Sequence, residues 1–287
     1  MTPPILTHAG DLLAAHDVVF CDVWGVVHDG VRAYDSACAA LSRFRANGGT
    51  VILVSNAPVP HEQVARMLET RAVPRSAWDA IVSSGDIALR HIADEGFSAL
   101  HCIGPYDRDS ALFDRLTARR TGLSEAEAIL CSGLNDDRRE TAETYRPLLE
   151  SALARNLPFV CANPDLVVDV GGRHYLCAGV IADLYQSMGG QVYWAGKPHS
   201  NAFRTALETA ERLRGNAIAK GRILAIGDAL RTDLKAAEGS GVGALFVAGG
   251  IHRGDAMTGD VIDPKKLRDL FAADPVPARA AIATLAW

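Results

Sequence analysis

The chain has 287 residues, of which 48% are hydrophobic and 22% charged, so it can bury a large core without a disulfide or a structural metal. Its net charge of -5 and scattered basic residues argue against nucleic acid or a membrane surface as the partner and favour a small molecule. The N-terminus lacks the pattern of a signal peptide, no apolar run has the length of a membrane span, and the six cysteines contain no CxxC pair, so we expect a cytoplasmic protein with reduced thiols. The sequence leaves a homo-oligomer open.

Short apolar runs alternate with segments of helical periodicity along almost the whole chain. In chain order the runs are VVFCD, TVILVSN, AIVSS, ALHCIG, AILCSG, LPFVCAN, QVYWAG, RILAIGD and GALFVAGG. Runs of this kind are typical of strands buried on both faces. The alternation predicts an α/β protein with a parallel sheet covered by helices on both sides, although composition alone marks no domain boundary.

Polar residues follow four of these predicted strands. They are Asp22, the pair Ser55 and Asn56, Lys197, and Asp228 with Asp233 close behind it. In open α/β sheets, ligands bind outside the carboxyl ends of the strands, so we expect these groups to share one crevice.

Such a crevice would hold three carboxylates and only one ammonium group. Lys197 alone does not balance Asp22, Asp228 and Asp233, whereas Mg²⁺ would, and it would also accept phosphate oxygens. Ser55 could hold those oxygens, and Asp22 could attack phosphorus to form an aspartyl-phosphate. Each group alone is more often a turn, a helix cap or a solvated charge, so the prediction depends on their joint occurrence in this order.

The motifs DVWGV, VSN, GKP and IGDALRTD, in this order, resemble the four motifs of the haloacid dehalogenase superfamily of phosphotransferases. The stretches VVHDG, CANPD and LCAG are similar to its class IIA, NagD-like branch. The resemblance implies Asp22 as nucleophile and metal ligand, and Ser55 and Asn56 as phosphate-binding residues. It implies Lys197 as a catalytic residue that is a charge partner and also binds phosphate. It also implies that Asp228, Asp233 and the backbone carbonyl of Trp24 hold Mg²⁺.

The same resemblance implies a Rossmann-like, doubly wound core with an inserted α/β cap domain. The core would comprise residues 1–82 and 190–287, and the cap would comprise residues 83–189. The cap loops at 133–145 and 169–179 could face the core, with Arg173 and His174 as candidate contacts to substrate.

One residue departs from the pattern of the superfamily, whose first motif usually reads DxDG. Trp24 stands where the second aspartate would protonate the leaving group and later activate water. Loss of that group removes assistance typically worth about a hundredfold to ten-thousandfold in rate. His28 is a conceivable replacement, and Asp29 is no better a candidate, because a His-Asp pair after a strand is more often a turn.

The leading hypothesis is a Mg²⁺-dependent phosphatase or phosphotransferase that acts on a small phosphorylated metabolite through Asp22. A catalytically weak or inactive protein that binds such a metabolite is the alternative, which Trp24 favours and the intact charged residues oppose. An ordinary nucleotide-binding domain is the least favoured, because GGRH and VAGG are poor matches to a GxGxxG fingerprint. The sequence does not name the substrate.

Overall fold

A computed structural model describes residues 2–170 and 173–287. The strands are β1 (Ile5–Leu6), β2 (Val18–Cys21), β3 (Thr50–Ser55), β4 (Ala80–Ser83), β5 (Ala99–Ile103), β6 (Arg119–Arg120), β7 (Ala128–Cys131), β8 (Phe159–Cys161), β9 (Val167–Val170), β10 (Arg173–Leu176), β11 (Val192–Trp194), β12 (Ile223–Gly227), β13 (Gly243–Val247), β14 (Met257–Thr258), β15 (Val261–Ile262) and β16 (Ala280–Ile282). The helices are α1 (Gly10–Ala14), α2 (Asp35–Ala46), α3 (His61–Thr70), α4 (Ser84–Glu95), α5 (Tyr106–Phe113), α6 (Arg146–Ala154), α7 (Ala178–Ser187), α8 (Ser200–Arg214), α9 (Lys235–Ser240), α10 (Arg253–Ala256) and α11 (Pro264–Ala273).

The chain folds into two compact units. The first comprises Met1–Ser55, Ala65–Val82 and Lys197–Trp287, and the second comprises Asn56–Val64 and Ser83–Gly196. No helix in the described part of the chain is long and apolar enough to cross a membrane.

The first unit is built on a seven-stranded parallel sheet in the order β1-β16-β13-β12-β2-β3-β4. Every residue of β2, β3 and β12 is buried, as expected for central strands that are covered on both faces. Helix α8 packs on β2, where the rings of Phe203 and Phe20 meet edge to face with centroids 5.2 Å apart. This architecture confirms the predicted Rossmann-like α/β fold class.

The second unit has its own parallel sheet of five strands in the order β11-β8-β7-β5-β6. Its core includes Phe159 and Tyr185, whose ring centroids lie 5.5 Å apart, and the Tyr185 hydroxyl donates to the carbonyl of Leu157 at 2.7 Å. Strands β9 and β10 pair antiparallel beside this sheet. The stretch 169–179, expected to be a loop, therefore contributes to a strand pair, and its Gly171 and Gly172 lie outside the described residues.

The point at which the chain finally returns to the first unit differs from the sequence prediction, which placed it at residue 190. Strand β11 pairs with β8 of the second sheet, with Trp194 opposite Cys161, so the chain re-enters the first unit at Lys197 and not at residue 190. Residues 56–64 also belong to the second unit. That the second unit acts as a cap stays a prediction.

Candidate active site

Three carboxylates converge at the carboxyl ends of the central strands of the first unit. Asp22 follows β2 and Asp228 follows β12, two adjacent strands, and Asp233 lies in the π-helical turn Leu230–Leu234. One oxygen of each carboxylate lies within 4.8 Å of the others. The backbone N–H of Asp22 donates to the carbonyl of Ile226 at 2.8 Å and so extends the β2-β12 ladder to the site.

Lys197 lies within this group of carboxylates and is 2% exposed. Its Nζ donates to Asp22 Oδ1 and, at 2.6 Å, to Asp233 Oδ1. Burial by itself would lower the pKa of Lys197, but the negative charges of Asp22 and Asp233 outweigh burial and raise its pKa. The ammonium group therefore stays protonated and ties together two carboxylates from different elements.

Asp228 is the third carboxylate of the cluster and is 5% exposed. Burial raises the pKa of Asp228 well above its usual range, and the charges of Asp22 and Asp233 raise it further. The N–H of Ile251 donates to its Oδ2 at 2.6 Å. The raised pKa means that these three carboxylates repel one another in the absence of a further positive charge.

Three glycines lie so close to these carboxylates that a side chain at any of the three positions would overlap with a carboxylate. Gly25 has φ +80°, and a Cβ at that position would lie 2.1 Å from Asp228 Oδ2. A Cβ on Gly250 would lie 1.9 Å from the same oxygen, and one on Gly227 would lie 2.2 Å from the Asp233 Cγ. A side chain at any of these three positions would displace a carboxylate of the cluster.

The donor set fits a hard divalent cation. Three carboxylates supply oxygen ligands, their mutual repulsion is relieved by positive charge, and Mg²⁺ commonly binds one or two carboxylates together with water and phosphate oxygens. A fourth group of the right kind is the Trp24 carbonyl, which the resemblance assigns to the metal.

Ser55 and Asn56 lie on either side of a boundary between the units. Ser55 is the last residue of β3 and is 9% exposed, in the first unit. Asn56 belongs to the second unit, where its Nδ2 donates to Asp165 Oδ1 at 2.9 Å and its Oδ1 accepts from the Ser84 hydroxyl at 3.3 Å. The Asn56 amide is thus engaged by its own unit, which the sequence did not suggest, and its binding of phosphate stays a prediction.

The Trp24 ring packs against residues of its own unit. The His28 ring meets it edge to face with centroids 4.9 Å apart, and the Arg71 guanidinium carbon lies 5.9 Å from its centroid. A Cβ on Gly30 would lie 2.4 Å from the Trp24 Cζ2, so only glycine fits beneath the ring. The indole is therefore fixed by packing in the first unit.

The structure argues against His28 as the replacement acid or base. Burial and the charge of Arg71 lower the pKa of His28 to about 4, and its Nδ1 accepts the N–H of Gly30 at 2.9 Å. The ring is therefore neutral and hydrogen-bonded at neutral pH. Asp29 holds a turn, because its Oδ1 accepts the N–H groups of Val31 and Arg32, each at 2.8 Å.

Comparison with known proteins decides the family. Residues 19–113 match a family model described as haloacid dehalogenase-like hydrolase, and residues 194–273 match a second one described as HAD-hydrolase-like. A solved hydrolase of the haloacid dehalogenase-like family from Brucella suis 1330 is 41% identical, with 98% of this chain and 99% of that chain covered and a TM-score of 0.85. The chain belongs to the haloacid dehalogenase-like hydrolase family.

More distant members share the fold. NagD from E. coli K-12 is 19% identical, with 94% of this chain and 96% of that chain covered and a TM-score of 0.66. A p-nitrophenyl phosphatase from Archaeoglobus fulgidus is 18% identical, with 94% and 96% covered and a TM-score of 0.70. Among curated proteins, none matches the chain significantly. The predicted resemblance to the NagD-like, class IIA branch of the haloacid dehalogenase family is thus confirmed at the level of the fold.

Sequence reasoning missed the backbone groups that support Asp228 in this haloacid dehalogenase-like site. Gly250 and Ile251 follow β13, a strand whose carboxyl end was not expected to contribute. The signal was present in VAGG, which was weighed only as a poor dinucleotide fingerprint. Two adjacent glycines after a buried strand indicate a close approach of backbone to another group, which here is a carboxylate.

Proposed function

We propose that this protein is a Mg²⁺-dependent phosphatase or phosphotransferase that forms an aspartyl-phosphate on Asp22. The observation that carries the proposal is the buried cluster of Asp22, Asp228, Asp233 and Lys197, an arrangement of charge that suits a phosphoryl group bound together with a cation. Membership of a hydrolase family supports the same class of reaction.

Each residue has a separate task in this proposal. A carboxylate oxygen of Asp22 attacks phosphorus, the bond from phosphorus to the ester oxygen breaks, and the leaving oxygen keeps the electron pair. Lys197 orients Asp22 and supplies positive charge beside the transferring group, and Ser55 donates to a phosphate oxygen. Water then attacks phosphorus, which releases phosphate and restores the Asp22 carboxylate.

Asp22, Asp228, Asp233 and the Trp24 carbonyl would hold the cation. When bound, Mg²⁺ would neutralise negative charge on the phosphoryl oxygens and on the carboxylates around them. The leaving oxygen would receive no proton from residue 24, because the indole of Trp24 does not act as an acid at neutral pH. Good leaving groups, which depart without a proton, are therefore the favoured substrates.

A panel of phosphorylated metabolites, together with p-nitrophenyl phosphate, tests this function. We expect metal-dependent release of phosphate that stops when a chelator is added and is absent in Asp22→Asn. Release that persists with the chelator and in Asp22→Asn would contradict the proposal.

Trp24 favours a second candidate, a protein that binds a phosphorylated metabolite without hydrolysing it. The indole removes the usual acid, and the low pKa of His28 removes its nearest replacement. In that case, the panel would show Mg²⁺-dependent binding by calorimetry and no release of phosphate from any compound.

A further inference from the structure

The second unit has the topology of an independent ligand-binding sheet. From β5 the chain passes to β6 on one side, and then crosses to β7 on the other side. The loops that follow β5 and β7 thus leave a topological switch point, where open α/β sheets bind ligands at the carboxyl ends of their strands.

A pocket of about 470 Å³ involves the longer of these two loops. Asp137 and Arg138 come from the loop after β7, and Arg173, His174 and Tyr175 come from β10. The residues that line the pocket all belong to the second unit.

The charges around this pocket do not balance. Asp137 Oδ2 accepts from Arg108 Nη1 at 2.9 Å, and His174 Nε2 lies 3.2 Å from Asp169 Oδ2, so both acidic groups already have partners. Arg138 and Arg173 are exposed, and neither forms an ion pair with any residue in ranges 2–170 and 173–287. Two guanidinium groups without a carboxylate partner therefore line one pocket.

We propose that this pocket binds an acidic group of a small molecule, a carboxylate or a phosphate, between Arg138 and Arg173. Guanidinium groups bind both kinds of anion through paired, charge-assisted hydrogen bonds. Tyr175 and His174 also line the pocket. The acidic group belongs to a small metabolite, and its binding here does not depend on the proposed function.

Binding is tested on the metal-free protein with malonate, a dicarboxylate that contains no phosphorus, by titration calorimetry. We expect Arg138→Gln and Arg173→Gln each to weaken malonate binding about tenfold and the double variant to abolish it, with stronger binding at low salt. Arg139→Gln is the matched control, because Arg139 is exposed, pairs with Asp136 at 3.7 Å and does not line the pocket.

The calorimetry decides the matter even if the protein hydrolyses nothing. A double variant that binds malonate as tightly as the wild type would overturn the proposal, and so would a wild type that does not bind malonate.

Discussion

In the proposed function, Trp24 determines whether the leaving group receives a proton. Its ring is packed beside His28, Gly30 and Arg71 in the first unit, so it is a fixed part of the fold. A proton for the leaving group must then come from elsewhere or not at all. The proposed function therefore predicts a strong dependence of rate on the leaving group.

Restoring a carboxylate at residue 24 should change that dependence. We expect Trp24→Asp to raise turnover of an alkyl phosphate about tenfold or more, and turnover of an aryl phosphate much less, because only the alkyl leaving group needs a proton. Arg71 lies beside this position and favours the charged form of a new carboxylate, which limits the gain. Steady-state kinetics with one alkyl and one aryl phosphate measure the effect.

Trp24→Asn is the matched control, since it removes the ring and supplies no acid. Equal alkyl phosphate turnover in Trp24→Asp and Trp24→Asn would mean that space, and not proton transfer, limits the reaction. Equal turnover of both phosphates by the wild type would mean that another residue supplies the proton.

His28 makes the stability of the first unit depend on pH. Its pKa is about 4 in the folded protein and 6.5 in the unfolded chain, so the unfolded chain binds more protons between these values. The stabilisation is complete above about pH 6.5 and is lost as the pH falls towards about 4.

When the pH is lowered from about 7.5 to about 5, we expect the free energy of unfolding to decrease in both proteins. The decrease should be roughly 2 kcal/mol larger in the wild type than in His28→Asn. Asparagine keeps an acceptor for the Gly30 N–H without a titratable ring. Urea unfolding at the two pH values gives the comparison. The same pH dependence in both proteins would show that His28 is not buried in its neutral form.

At the residue scale, the sequence predicted which charged side chains meet, but not what holds them. Asp22 and Asp228 could be predicted to meet because the ends of neighbouring parallel strands share one edge of a sheet. Lys197 was predicted to join them as the end of a strand of the same sheet, and it does join them although β11 belongs to the other sheet. The hydrogen bond from the Ile251 N–H to Asp228 could not be predicted, because almost every residue has a backbone N–H and the sequence does not show where it points. The burial that lowers the pKa of His28 also could not, because it depends on tertiary packing.

Among the elements, the loop after β2 requires a glycine at residue 25, because the Asp228 carboxylate that follows β12 lies against it. Gly25 combines φ +80° with the 2.1 Å approach of Asp228 Oδ2, so an alanine there suffers from both backbone strain and overlap. Gly48 has a similar φ of +88° with nothing within 4 Å, so an alanine there suffers from strain alone. The two positions separate the two effects.

We expect Gly48→Ala to cost about 1 kcal/mol of stability and Gly25→Ala to cost about 2 kcal/mol or more, with weaker Mg²⁺ binding only in Gly25→Ala. Urea unfolding and titration calorimetry measure the two quantities. If both variants lose the same stability and bind Mg²⁺ alike, the Asp228 side chain does not occupy the space beside Gly25.

At the element scale, buried strands were predictable and their grouping was not. All nine apolar runs form strands, as expected for short buried runs that are bounded by loop residues. Periodicity does not tell which sheet a strand joins, so β11 was assigned to the core although it pairs with β8. Strands β9 and β10 were missed because β9 is short and only half-buried and β10 begins with two exposed polar residues.

For the whole molecule, a divalent cation bound at the cluster would link folding stability to the concentration of that cation. A ligand that binds only the folded protein stabilises it by about 2.7 kcal/mol when its concentration is about a hundred times its Kd. We expect saturating Mg²⁺ to raise the Tm of the wild type by several degrees and to leave the Tm of Asp228→Asn unchanged. Without metal, Asp228→Asn should be at least as stable as the wild type, because it relieves repulsion among three carboxylates.

Scanning calorimetry with and without Mg²⁺ measures both effects. Asp29→Asn is the control, since this carboxylate holds a turn in the same unit and is not part of the cluster, so its response to Mg²⁺ should match that of the wild type. A Tm of Asp228→Asn that rises with Mg²⁺ as much as that of the wild type would place the cation elsewhere.

Two of the proposed site residues are also the places where the chain changes unit. Ser55 is the last residue before the chain first leaves the first unit, and Lys197 is the first residue after its final return. An insertion, a deletion or an exchanged segment inside Ser83–Gly196 therefore leaves the lysine attached to whatever replaces it. A change at the end of this segment therefore acts on the backbone directly before the lysine that donates to Asp22 and Asp233.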